Sequence, residues 1–240
     1  MTVKYDTPKL SDWVAIAIRN ASQNTALMDS CSSATLSRFV DVAIFNKYDT
    51  ALRQIVSKWC ERLIHKSTPS VPAIQVADRH EKVLKDLKGV AYYVHVQDMH
   101  DRQTTFTETG ATQLRTDPKL NNGQVMRLMG GYWSLVSLWE RIRLRPAELR
   151  QGVGCSDEDH LKCCSAWERR WISAAGWKRI LGHNSADVLT LLSCLKDQLA
   201  NDDDLRSGIN SDCRRGGLED ILKLRARTEA GLADHFAGCL

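Results

Sequence analysis

Three thiols, one imidazole and two indoles fall within the seventeen residues from Cys155 to Trp171. Ser156 can cap a helix whose third residue is Asp159. The spacing of the later residues then places one histidine, two cysteines and two tryptophans on a single helical face: His160, Cys163, Cys164, Trp167 and Trp171. This pattern predicts either a metal site or the buried apolar stripe of a helix.

A structural zinc ion needs four thiolate or imidazole ligands, each about 2.0–2.3 Å from the metal. Three could come from the start of one helix and the fourth from a turn before the last helix: Cys155, His160, Cys163 or Cys164, and Cys213. Such a metal would tie the last helix to the Cys155 region. The gap between Cys155 and His160 is wider than in zinc knuckles, and a stripe of Cys164, Trp167 and Trp171 needs no metal, because a buried free cysteine behaves as a small apolar residue.

The same cluster also permits chemistry. A thiolate at a helix N-terminus can be activated by a neighbouring imidazole, so a small metal- or thiol-dependent enzyme using Cys155, His160 and Cys163 is the alternative function. Elsewhere the sequence has no nucleophile, base and orienting residue at a recognisable spacing, and no cofactor-binding loop. We therefore predict a protein without catalytic residues or an organic cofactor, and we leave a structural zinc ion open.

Composition narrows the class of protein. The chain has 240 residues, of which 43% are apolar and 26% charged, as in soluble globular proteins with a substantial core. Its net charge of +4 comes from basic and acidic residues mixed along the chain, which argues against nucleic acid or an anionic membrane as a partner. Without a signal peptide or a long apolar run, we expect an intracellular protein, cytoplasmic or nuclear, with reduced thiols.

Apolar residues recur at helical spacing along most of the chain, which predicts an all-α fold, an irregular multi-helix bundle. Residues 36–44 and 52–63 form two amphipathic helices joined near 47–49, and the longest stripe covers 125–142. Residues 90–96 have strand propensity but continue a helical stripe, so we predict helix there. Asn184 or Ser185 caps a later helix, and prolines and glycines mark breaks at 69–72, 110–123, 146–154, 207–208 and 216–217.

Several segments then follow a recognisable order. Residues 39–63, 74–80 and 87–93 give a helix ending in a Lys-Tyr turn, a second helix, and a helix ending in an aromatic pair. A Trp-Glu helix, a Trp-x3-Trp helix and a Cys-Arg-Arg turn follow at 131–140, 167–171 and 213–215. Over residues 35–240 this order resembles the helical region of basidiomycete-type BTB/POZ domain-containing proteins, with the BTB core truncated or divergent.

The resemblance implies a domain organisation and a function. Residues 1–34 would be an N-terminal segment, for which the resemblance implies a short remnant of a BTB-like α/β core. A post-BTB-like helical subdomain at 35–105, a polar connector at 106–123 and a C-terminal helical subdomain at 124–240 would follow. The implied function is a non-enzymatic protein–protein interaction or adaptor module. Its implied partners are other proteins, either a cullin-type ubiquitin ligase or further copies of the same chain.

Overall fold

The computed structural model describes residues 8–101 and 117–237, with side chains from residue 13 to 100 and from 117 to 237. Over these residues the chain forms thirteen α-helices and no β-strand, which confirms the all-α prediction. Most of the predicted connector at 106–123 lies outside the described residues. None of the described helices is long and apolar enough to span a lipid bilayer.

The chain divides into two compact units. The first contains the described residues up to His95 together with Asp117–Leu120, and the second contains those from Val96 onward other than that segment. The boundary falls inside a helix that continues from one unit into the other, namely Lys85–Asp101. Among the described residues, Trp59 is buried in the first unit, and Trp139, Trp167 and Trp171 are buried in the second.

Six helices cover the first unit and the start of the second: α1 Pro8–Gln23, α2 Thr25–Ser30, α3 Ser33–Phe45, α4 Asp49–Ile64, α5 Ser70–Arg79 and α6 Lys85–Asp101. The predicted helical pair is confirmed as α3 and α4. Their connection passes through Lys47, whose φ of 57° is left-handed. Leu36, Ile55 and Trp59 are fully buried and form the centre of this core.

Two local predictions in this region have opposite outcomes. Residues 90–96 are helical, as predicted, and Ala91 and Tyr92 on α6 are fully buried. The loop predicted at 69–72 is wrong, because α5 begins at Ser70 and includes Pro72. Proline is tolerated in a first helical turn, where the backbone N–H groups have no partner within the helix.

Seven helices complete the second unit: α7 Asn122–Leu144, α8 Asp157–Ala175, α9 Lys178–Leu181, α10 Val188–Ala200, α11 Asp203–Gly208, α12 Ser211–Ala230 and α13 Leu232–His235. Helix α10 packs against α7, α8 and α12. The core contains the tryptophans predicted to be buried here, Trp139, Trp167 and Trp171.

Two predicted helix boundaries in this unit are wrong. The cap of α10 is Asp187, which accepts the N–H of Thr190, whereas Asn184 accepts the N–H of Ala186 in the turn before it. The predicted break at 216–217 lies inside α12. A Cβ on Gly217 would come within 2.8 Å of Trp167 and 2.9 Å of Leu149, so this glycine allows close packing and does not end a helix.

Candidate metal centre

Three segments of the second unit meet at the cysteine cluster: the loop at 151–155, the start of α8 and the first turn of α12. Ser156 caps α8 by accepting the N–H of Asp159 at 3.2 Å, as predicted. Asn210 caps α12, and its side-chain oxygen accepts the N–H groups of Asp212 and Cys213. Cys213 is therefore the third residue of a helix, and its predicted place in a preceding turn is wrong.

The structure brings the predicted ligand residues close together. The Sγ atoms of Cys155 and Cys163 lie 4.0 Å apart, and the Sγ of Cys213 lies 3.7 Å from the Nδ1 of His160. Cys155, His160 and Cys213 offer ligand atoms that all lie within 4.8 Å of one another. Cys163 joins this group through its contact with Cys155.

These separations can be compared with tetrahedral zinc. Bond lengths of about 2.3 Å to sulfur and about 2.0–2.1 Å to nitrogen place two sulfurs about 3.8 Å apart, and a sulfur and a nitrogen about 3.6 Å apart. The separation of 4.0 Å between Cys155 and Cys163 and that of 3.7 Å between Cys213 and His160 are within a few tenths of an ångström of those values. Two of the six separations among the four residues are therefore close to tetrahedral values, Cys155, His160 and Cys213 lie within 4.8 Å of one another, and Cys163 is placed beside them by its contact with Cys155.

Cys163 and Cys164 lie in different environments. Cys163 is 3% exposed and faces Cys155. Cys164 is half-buried, and its Sγ lies 3.5 Å from Nε2 of His160, whereas the Sγ of Cys213 lies near the other ring nitrogen, Nδ1. Of the two adjacent cysteines, Cys163 is the one placed beside another candidate ligand sulfur.

Two backbone N–H groups donate to sulfurs of the cluster. Gly152 donates to Cys213 at 3.1 Å, and Asn210 donates to Cys163 at 3.3 Å. Hydrogen bonds of this kind stabilise negative charge on sulfur. Sequence reasoning missed both donors, although the Gly-x-Gly-Cys run before α8 and an asparagine three residues before Cys213 were available signals.

The glycines of the loop have separate structural roles. A Cβ on Gly152 would lie 2.5 Å from the backbone nitrogen of Cys213, so this position permits the loop to approach α12. Gly154 has a φ of 76°, a conformation that other residues rarely adopt. Both glycines therefore help to hold Cys155 and the N–H of Gly152 against the first turn of α12.

Burial and the neighbouring thiols both favour the neutral thiol form of cysteine over the thiolate in the cluster. Burial raises the pKa of Cys155 to about 12, and hydrogen bonds with Cys213 and Cys163 act in the same direction. Burial likewise raises the pKa of Cys164. A nucleophilic cysteine needs a lowered pKa, so this environment is unfavourable for a reactive thiolate, whereas a divalent cation would supply the missing positive charge.

Helix α8 also contributes buried tryptophans to the core of the second unit. Trp167 and Trp171 are buried with ring centroids 5.8 Å apart, and their indole N–H groups donate to the backbone oxygens of Ala147 and Ile142. One turn earlier, Cys163 and His160 face the cluster. Along α8, the possible metal ligands therefore come first and the buried tryptophans follow.

The chain matches no family model, no curated protein and no solved structure. Its resemblance to BTB/POZ proteins therefore rests on the sequence segments alone. Any functional conclusion depends on the geometry of the described residues.

Proposed function

We propose that the chain is a non-enzymatic protein–protein interaction module. The observation that supports this proposal is that α7 is apolar on two opposite faces. One face is buried, with Leu128, Leu135 and Trp139 in the core. The other carries Met126, Trp133 and Leu144, which are 71%, 70% and 63% exposed.

The exposed residues form one line along the helix. At about 100° per residue, Met126, Trp133 and Leu144 fall within about 20° of a common direction, opposite the buried face. They span roughly 27 Å at about 1.5 Å per residue. Two small, half-buried residues, Gly130 and Ser137, lie between them, and we call these five residues the exposed stripe after its three exposed apolar members.

Several features of the exposed stripe favour a protein partner. Helices with apolar residues on opposite sides are normally covered on both. A Cβ built on Gly130 would have no atom within 4 Å, so the surface beside Trp133 is open to a partner side chain. Tryptophan is enriched among the residues that contribute most to binding energy at protein interfaces, and a partner helix is a suitable shape for such a stripe.

The partner class is part of the proposal. Self-association and binding to a cullin-type ubiquitin ligase are the two cases implied by the BTB/POZ resemblance, and both can use an apolar helix face. Neither case requires catalytic residues in this chain. In either case Trp133 should be the residue whose loss is most costly.

The test compares two exposed tryptophans. Trp133→Ser removes the centre of the exposed stripe, and Trp13→Ser removes a tryptophan that is 66% exposed in the first unit. Self-association is measured by sedimentation of the full chain, and binding to a purified cullin scaffold by titration calorimetry. We expect Trp133→Ser to weaken the relevant interaction about 30-fold or more, and Trp13→Ser to leave it unchanged.

Binding results of two kinds, and one activity result, would contradict this proposal. The binding results are equal binding by the wild type and both variants, or no binding in either assay. The activity result is saturable turnover in a metabolite screen that is lost in Cys155→Ser while folding is preserved, which would favour the thiol- or metal-dependent enzyme.

A further inference from the structure

We propose that Cys155, His160, Cys163 and Cys213 bind one zinc ion with a structural role in the second unit. This inference is independent of the proposed interaction function. It rests on the type, position and surroundings of the four side chains, which come from three segments separated in sequence.

The donor set favours zinc among the common metals. Three thiolates and one imidazole form a soft to borderline set, which suits a tetrahedral zinc ion and excludes the oxygen-rich sites of calcium and magnesium. The separations of 4.0 Å between Cys155 and Cys163 and of 3.7 Å between Cys213 and His160 are close to tetrahedral edges. No carboxylate is needed to complete the set.

The site is closed in the way that structural zinc sites are. Cys155, Cys163 and Cys213 are 9%, 3% and 0% exposed, respectively. Four protein ligands leave no position for water or substrate, in contrast to catalytic zinc, which keeps one position open. The role assigned to the metal is therefore to hold the loop at 151–155 and helices α8 and α12 together.

The surroundings suit three bound thiolates. A zinc ion with three thiolates and a neutral imidazole carries one net negative charge. Two peptide N–H groups donate to its sulfurs, from Gly152 and Asn210. The cluster also lies at the N-terminal turns of α8 and α12, where the partial positive charge of a helix stabilises an anionic group.

The two adjacent cysteines, Cys163 and Cys164, have different roles in the proposed site. When His160 binds the metal through Nδ1, its Nε2–H is free to donate, and the Sγ of Cys164 lies 3.5 Å away as the acceptor. Ligating histidines usually donate their second ring N–H in this way, which fixes the orientation of the ring. Cys163 is thus a ligand and Cys164 an orienting residue.

The first experiment measures zinc bound to the full chain after purification under reducing conditions. We expect one zinc ion per chain, lost in Cys155→Ser, Cys163→Ser, Cys213→Ser and His160→Ala. Cys194→Ser is the matched control and should have no effect, since Cys194 contacts a different imidazole, that of His183 at 3.7 Å, and is not among the proposed ligands. Cys164→Ser should keep a full equivalent of zinc, and Cys164→Ala, which removes the acceptor of the His160 Nε2–H, should keep it but bind it about 10–100-fold more weakly.

Variants that lack a ligand can lose zinc merely by unfolding, so a second measurement uses the wild type. Cobalt(II) added to the metal-free protein should give the visible bands of tetrahedral cobalt–thiolate coordination, saturating at one equivalent. Chelation should lower the midpoint of thermal unfolding by roughly 10 °C, because a ligand that binds only the folded state stabilises it.

The proposal is overturned if the folded, reduced wild type holds no zinc and cobalt gives no thiolate bands. The ligand assignment is overturned if Cys163→Ser keeps a full equivalent of zinc while Cys164→Ser loses it. If each of the four single-ligand variants keeps its zinc, the metal lies elsewhere and the assignment is also wrong.

Discussion

Two adjacent glycines of α7 should respond in opposite ways to the same substitution. Gly130 faces open space, and a Cβ there would have no atom within 4 Å. Gly131 faces the core, and a Cβ there would lie 2.1 Å from the Cδ1 and Cε1 atoms of Phe236. The pair therefore tests which face of α7 is buried, and the proposed interaction surface depends on that assignment.

The expected magnitudes follow from two terms. Replacing a helical glycine by alanine stabilises a helix by about 0.5–1 kcal/mol, and this gain is common to both positions. Only Gly131→Ala also overpacks the core, at a cost of about 1–3 kcal/mol, because the ring of Phe236 is fully buried and cannot swing into solvent. Gly130→Ala should stabilise the second unit, and the two variants should differ by about 1–3 kcal/mol.

The assay must report on the second unit alone, because a chain of two units need not unfold in one step. Hydrogen exchange followed by mass spectrometry, at increasing urea concentrations, gives the opening free energy for peptides of α7. A Gly131→Ala/Phe236→Leu double variant should recover part of the loss, since it removes the ring that the new Cβ meets. Equal stabilisation by both single variants would refute the assignment of the buried face.

Three further predictions concern single side chains. Ser156→Ala should destabilise the second unit by about 1 kcal/mol in urea unfolding, because it removes the N-cap of α8. Asp202→Ala should cost about 2–4 kcal/mol, because Asp202 is buried, caps α11 and accepts a hydrogen bond from Arg170 at 2.7 Å. Burial lowers the pKa of His235 from 6.5. The free energy of unfolding should therefore be highest above pH 6.5 and should fall as the pH drops toward the lowered pKa. His235→Gln should make the free energy of unfolding less dependent on pH in this range.

Matched controls distinguish these effects from general sensitivity to substitution. Ser165→Ala, on an exposed position inside α8, should change stability by less than about 0.5 kcal/mol. Asp203→Ala, beside Asp202 but exposed, should behave in the same way. If Ser156→Ala or Asp202→Ala is as neutral as its control, the capping contacts are not stabilising. If wild type and His235→Gln lose stability equally between about pH 7 and pH 5, His235 is not the titrating group.

Features governed by nearby residues were predictable from the sequence. The Ser156 cap, the connection at Lys47 and the helical state of residues 90–96 depend on spacing within one or two turns. The burial of Trp167 and Trp171 followed from their place on an apolar stripe. In each case the local pattern and the tertiary packing favour the same structure.

Features that depend on distant contacts were not predictable in the same way. Gly217 predicts a helix break because glycine weakens helices, yet it lies inside α12, where the absence of a Cβ permits the close approach of Trp167. Asn184 and Asp187 are both good caps by residue type, and only the path of the chain selects Asp187. The choice of Cys163 over Cys164 required the position of Cys155, since both cysteines lie on the same helical face.

The candidate ligands show where the sequence and the structure complement each other. Residue types and helical spacing indicate Cys155, His160 and either Cys163 or Cys164 as ligands, with Cys213 as the fourth. The fold places Cys213 beside His160 across 53 positions of the chain and adds the N–H donors of Gly152 and Asn210. The bound metal itself stays a prediction.

X-ray absorption at the zinc edge, on the purified and reduced full chain, measures the ligands of the proposed zinc site. We predict a first shell of three sulfurs at about 2.3 Å and one nitrogen at about 2.0–2.1 Å. In Cys194→Ser the spectrum should be unchanged. A shell made mainly of oxygen, or a folded protein without zinc, would rule out the proposed site.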